Sequence, residues 1–151
     1  MDAVTMEALG KVGAAAAIAF GAMGSAIGTG TAGMAAVGAW KKCYIQDKAA
    51  PFLLLIFIGA PLSQTIYGMI LMNAIGRAAS EGAGLWPAMI AAGVLGGIAM
   101  AMSAMWQGRA GAAGADALAE TGQGFGNYLM TIGVVETVAL FVLVFIQAAI
   151  R

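Results

Sequence analysis

Glu136 stands in the stretch GVVETVALF, residues 133–141, inside the last apolar run of the chain. An ionised carboxylate at bilayer depth costs on the order of 3 kcal/mol, so an acid placed there is paired, protonated or bound to a cation. The other polar groups that fall in apolar stretches are Ser63, Gln64, Thr65 and Tyr67 in SQTIYGM, and Gln107 in SAMWQG. Pro61, one turn before this group, removes a backbone N–H and leaves a carbonyl near Ala60 more available as a ligand. Together Glu136, Gln64, Gln107, the Ser63 hydroxyl and the Ala60 carbonyl form a set of oxygens suited to a hard cation such as Na+. One negative ligand on a monovalent ion leaves the site neutral. Taken singly, these residues have plainer readings: Gln64 and Gln107 as an interhelical hydrogen-bonding pair, Ser63 and Thr65 bonded back to their own helix, Tyr67 as core. The acid in mid-run tips the balance toward an ion site. With no histidine and one cysteine, the usual ligands of zinc, haem and iron–sulfur clusters are missing. Cys43, in what reads as a short polar loop, is expected to be incidental, and no organic cofactor is expected.

These groups need elements to hold them, and the composition says which. The 151 residues are 62% hydrophobic and 9% charged, with mean hydropathy +0.92, which excludes a water-soluble globular domain. No charge lies between Lys11 and Lys41, between Lys48 and Arg77, or between Glu81 and Arg109, and Glu136 alone lies between Glu120 and Arg151. Each interval exceeds the roughly 20 residues a helix needs to cross a bilayer. Four transmembrane helices follow, near 12–40, 51–76, 85–117 and 125–150. Period-two alternation, the mark of a membrane barrel, is absent. The first run, preceded by Asp2 and Glu7, is too long for a signal peptide and is read as retained. Lys41, Lys42 and Lys48 place the loop after the first helix in the cytoplasm by the positive-inside rule, with both termini outside.

The chain also repeats itself. Ser25, Ala26, Gly30, Ala32 and Gly33 match Ser103, Ala104, Gly108, Ala110 and Gly111 at a constant offset, and SQTIYGM from Ser63 aligns on VETVALF from Val135, so that Gln64 falls on Glu136 and Thr65 on Thr137. The fold class is therefore an all-α membrane protein made of two duplicated antiparallel hairpins, residues 1–76 and 77–151. Turns near Thr121–Gly122 and Ile45–Gln46 predict Gln107 opposite Glu136 and Thr29 opposite Gln64. Arg109, two positions or about 200° from Gln107 around the helix, is predicted to face away from the acid. Small residues recur along the first helix at Gly10, Gly13, Ala17, Gly21, Gly24 and Gly28, and along the third at Gly93, Gly97, Ala101, Ala104, Gly108 and Gly111. Such stripes let backbones approach closely in lipid, and their length favours packing in a repeated assembly over packing inside one chain. The second and fourth helices, with FLLLIFI and ALFVLVFI, suit lipid.

The motifs APLSQTIYG, WQGRAGAAG and VVETVAL closely resemble those of the four-helix proteolipid (K, or c) subunit of V/A-type rotary ATPases, over essentially the whole chain. The resemblance implies a membrane rotor ring of identical copies, assembled with the first and third helices inside and turning against a stator subunit. In sodium-type members the ion is held by groups matching the Ala60 carbonyl, Ser63, Gln64, Gln107 and Glu136, with Tyr67 bonding the carboxylate; Pro61 and Thr137 are expected to support them. Ser63 stands where threonine is typical, and Leu62 where glycine is typical, which adds bulk beside the site. The implied partners are other copies of the chain, a stator subunit whose arginine displaces the ion, central-stalk subunits at the cytoplasmic loops, and lipid, with no nucleic acid. The implied location is the cell membrane. Cargo is Na+, or H+ as the alternative. The chain lacks a GxxxxGK[ST] phosphate loop, so ATP hydrolysis would belong to other subunits. The rival is a small secondary ion transporter with Glu136 as its coupling-ion site.

Overall fold

The computed structural model describes residues 1–150, and all regular structure among them is helical. Helix α1 runs Ala3–Ile45. The second span is α2 (Leu54–Gly59), a 3-10 turn at Ala60–Leu62, and α3 (Ser63–Glu81). After a second short 3-10 turn come α4 (Trp86–Thr121) and α5 (Phe125–Ala149). All four spans are long and apolar enough to cross a membrane.

Local chemistry sets the boundaries. Asp2 caps α1 by accepting the Thr5 N–H at 2.7 Å, a bond that stabilises the ionised form and holds the Asp2 carboxyl below its ordinary range. The loop to α2 is closed by Trp40, whose Nε1 donates to the Pro51 carbonyl at 2.8 Å. Pro61 cannot donate to the preceding turn, and the second span narrows to 3-10 geometry there. Helix α4 ends on Gly122 at φ 68, a left-handed cap that releases its amide to the Leu118 carbonyl. Glycine is favoured there because a Cβ would strain that backbone conformation.

The two hairpins pack side by side through α1 and α4. Gly13 meets the Met89 and Ile90 backbone, Gly24 meets Ala101, and Gly28 meets Ala104, so the two helices run parallel, close to the register of the repeat itself. At Gly93 the backbone lies on the Gly13 carbonyl, and at Gly108 it lies on Gly28; neither has room for a Cβ. The small-residue stripes are thus taken up within one chain, which corrects the expectation that they serve packing between copies. Close approach of these two helices is what the duplicated hairpin uses to dock on itself.

Two further expectations change. Cys43 lies in the last turns of α1, is 1% exposed and directs its thiol at the Ala119 carbonyl, so it is core rather than loop. Thr29 is not level with Gln64: the Gln64 carbonyl lies against Gly21, and Pro61 against Gly28. The connection between α1 and α2 is lopsided, with α1 continuing to Ile45 and α2 starting only at Leu54, which shifts the level by about one helical turn. The second hairpin, with its tight Gly122–Gly124 connection, keeps the predicted pairing.

Apolar packing divides into two clusters. Leu71, Ile75, Met89, Met100 and Leu143 form one, and Cys43, Leu54, Phe57, Leu118 and Ile132 the other. The polar residues of α3, α4 and α5 lie between them. Outward faces on every span are apolar, among them Met34, Leu55, Ile66, Leu95, Val144 and Phe145, as lipid or neighbouring apolar chains require.

Candidate ion site

Gln64 and Gln107 are 0% exposed, and a buried amide needs partners for two N–H donors and a carbonyl. The site is the solution to that requirement. Gln107 Nε2 donates to the Ile132 carbonyl at 3.4 Å and to Glu136 Oε2 at 3.2 Å. Both of those groups are acceptors, so the NH2 end of Gln107 is fixed toward α5 and its oxygen must face α3. There it accepts from Gln64 Nε2 at 2.8 Å. That in turn fixes the Gln64 oxygen, which accepts from Ser63 Oγ at 3.2 Å. Ser63 Oγ also lies 3.0 Å from the Ala60 carbonyl. One hydroxyl proton serves two acceptors, so the Ala60, Ser63 and Gln64 oxygens together hold more lone pairs than donors. That excess is what a hard cation needs.

On the other side, Tyr67 donates its hydroxyl to Glu136 Oε1 at 2.6 Å, a short charge-assisted bond. The carboxylate therefore receives one donor on each oxygen, from two different helices. Glu136 itself is half-buried, on α5 at the edge of the protein, with its polar partners toward the interior.

Glu136, Gln64, Gln107, Ser63, Tyr67 and the Ala60 carbonyl are thus brought together as predicted. Pro61 is buried and shapes the turn that turns the Ala60 carbonyl toward Ser63. Thr137 is not: it is exposed and bonds back to the Val134 carbonyl at 2.7 Å. One step beyond Glu136 on a helix is about 100° around the axis, which carries Thr137 out of the cluster. Thr137→Val should accordingly leave ion binding at Glu136 within about twofold of wild type, as read by carbodiimide labelling. Leu62 points outward at 52% exposed and so takes no space in the site. Arg109 is exposed, with its guanidinium 4.5 Å over the Trp106 ring, away from Glu136 as expected.

Ser103 was not anticipated. Its Oγ donates to the Val135 carbonyl at 3.0 Å and lies 3.5 Å from Gln64 Nε2. Two signals for it are in the sequence: its place four residues before Gln107, on the same helix face, and its match to Ser25 in the repeat.

A membrane protein of two docked hairpins, with one carboxylate at mid-span amid amide and hydroxyl groups, has the architecture of the ion-carrying proteolipids. Residues 90–146 match the family model of the ATP synthase C subunit, and by that match the second hairpin belongs to that family. The chain is also 33% identical over 136 residues, 88% of its length, to the A-type ATP synthase subunit K of Methanocaldococcus jannaschii. It spans 57% of that relative's length.

Proposed function

We propose that this chain is a non-catalytic, ion-carrying subunit of the rotor ring in the membrane sector of a V/A-type rotary ATPase. Glu136 takes an ion from one access path, is neutralised by it, and carries it past lipid until a stator group displaces it. The observation that carries the reading is the half-buried Glu136 held between Tyr67 on α3 and Gln107 on α4. Neutralisation matters because an unpaired charge in low dielectric is costly, and a charge that can be switched off can move where a fixed one cannot.

Na+ is the proposed cargo, supported by the surplus lone pairs of Ala60, Ser63 and Gln64 beside the carboxylate. Proton carriage would need the carboxyl and one or two hydrogen-bond partners, and leaves that surplus without a use. The ring would meet a stator subunit on its outer face and central-stalk subunits at the Lys41–Lys48 loop, with the hairpin loops cytoplasmic.

A hydrophobic carbodiimide, which reacts with a protonated carboxyl in an apolar setting, tests both parts. Labelling confined to Glu136 and suppressed by NaCl is expected. Labelling indifferent to sodium refutes the cargo, and no labelling at any pH refutes the ion site. A detergent-stable assembly of many identical chains is expected as well; a stable monomer would instead favour the secondary transporter. Gln107→Ala removes the donor to Glu136 Oε2 and leaves the Gln64 amide without its acceptor. It should weaken sodium protection by about tenfold while the assembly persists, and unchanged protection would refute its place in the site.

A further inference from the structure

We infer that Ser103 is a positioning residue of the ion site, holding the Gln64 amide so that its oxygen stays aimed at Ser63. The inference rests on the ion-site reading above. It begins with an unusual use of a hydroxyl. Serine and threonine in helices commonly bond back to a carbonyl of the preceding turn, and Thr31, Thr121, Thr131 and Thr137 all do so here. Ser103 instead reaches across to α5 and donates to the Val135 carbonyl, the residue adjoining Glu136. Its proton is committed there, so its lone pairs face inward as acceptors.

The Gln64 amide has two N–H groups and no exposure. One goes to Gln107 Oε1 at 2.8 Å, and Ser103 Oγ, at 3.5 Å, is the acceptor given to the other. Without Ser103, that N–H has no partner in a buried site, and an amide rotated to find one would turn its oxygen away from Ser63 and the Ala60 carbonyl. The hydroxyl also ties the α5 backbone beside Glu136 to α4, in step with the Gln107–Glu136 bond. Ser103 would touch no ion: it acts through Gln64 and through the position of α5.

The repeat supplies an internal control. Ser25, the counterpart of Ser103 in the first hairpin, is 2% exposed, and its Oγ has no hydrogen-bond partner. The two serines share residue type, burial and place in their hairpins, and differ in whether the hydroxyl has a bond to lose.

The test compares Ser103→Ala, Ser103→Thr and Ser25→Ala by carbodiimide labelling of Glu136 in the purified assembly, with and without NaCl. Ser103→Ala is expected to raise the sodium concentration that halves labelling by about tenfold, the size of effect typical of groups that orient ligands. It should also raise the labelling rate in sodium-free buffer several-fold, because the carboxylate is less firmly held. Ser103→Thr, which keeps the hydroxyl, should restore both, and Ser25→Ala should match wild type. Equal shifts in Ser103→Ala and Ser25→Ala would overturn the inference in favour of general loosening, and wild-type behaviour of Ser103→Ala would overturn it outright. Should labelling of the wild type ignore sodium, the sodium-free rate decides alone. Absence of wild-type labelling would sink the ion site itself, and this inference with it. If Ser103→Ala gives no folded protein, Ser103→Cys, with a weaker donor, must shift in the same direction for the inference to stand.

Discussion

Glu136→Gln abolishes carbodiimide labelling and reduces ion transport by the assembled enzyme below about one hundredth of wild type, while the chain still folds and assembles. The two halves of this outcome have separate causes. Folding survives because glutamine has nearly the size of glutamate and removes a charge that costs on the order of 3 kcal/mol at bilayer depth. Its single oxygen still accepts from Tyr67, although its NH2 then faces the Gln107 NH2, and one donor on each side loses its acceptor. That loss is about 1–3 kcal/mol, comparable to the charge penalty relieved. Transport fails because the amide neither binds a proton nor offers a negative ligand to a cation, so nothing can be loaded or displaced. Labelling, ion uptake by reconstituted vesicles, and ring stability in detergent measure the three quantities independently. Transport retained in this variant would remove Glu136 from the cargo path.

The sequence discloses the acid, both glutamines and the hairpin plan for identifiable reasons. A carboxylate in an apolar run stands out because its cost is so large, and uninterrupted apolar runs of more than about 20 residues have few outcomes other than spanning helices. Gln107 is correctly set against Glu136 because the second hairpin turns within Gly122–Gly124, leaving little freedom in register. The first hairpin misleads for the opposite reason: its loop is longer on one side, and a turn placed at its midpoint assigns Thr29 to a level that Gly21 and Gly28 occupy. Ser103 is hidden in the sequence because a hydroxyl's partner is set by tertiary packing. Its type carries no hint that it bonds to α5 while Ser25, at the equivalent position, bonds to nothing. The glycine stripes announce close packing but not with whom, since the same pattern serves contact within a chain or between chains.

That last ambiguity gives the other large expected effect. Gly108→Leu prevents α1 and α4 from docking, so that little folded protein accumulates. The Gly108 backbone lies directly on the backbone of Gly28, and a main chain inside a helix cannot swing aside as a side chain can. Overpacking a core typically costs about 1–3 kcal/mol when neighbouring side chains can shift, and here they cannot, so the penalty sits at or above the upper end. It compares with a total stability of about 5–15 kcal/mol for a typical domain. The displacement also reaches Gln107, the adjacent residue, whose bonds to Gln64 and Glu136 span 2.8 and 3.2 Å and tolerate little separation before they are lost. Any protein that does fold should therefore show impaired sodium protection as well. Gly30 offers the contrast: it lies on α1 with nothing within 4 Å, so Gly30→Ala should leave the chain as stable as wild type or gain up to about 1 kcal/mol of helix propensity. Thermal unfolding in detergent separates the pair. A Gly108→Leu protein as stable as wild type would show that α1 and α4 do not meet backbone to backbone, and the packing that positions Gln107 against Glu136 would have to be assigned to other contacts.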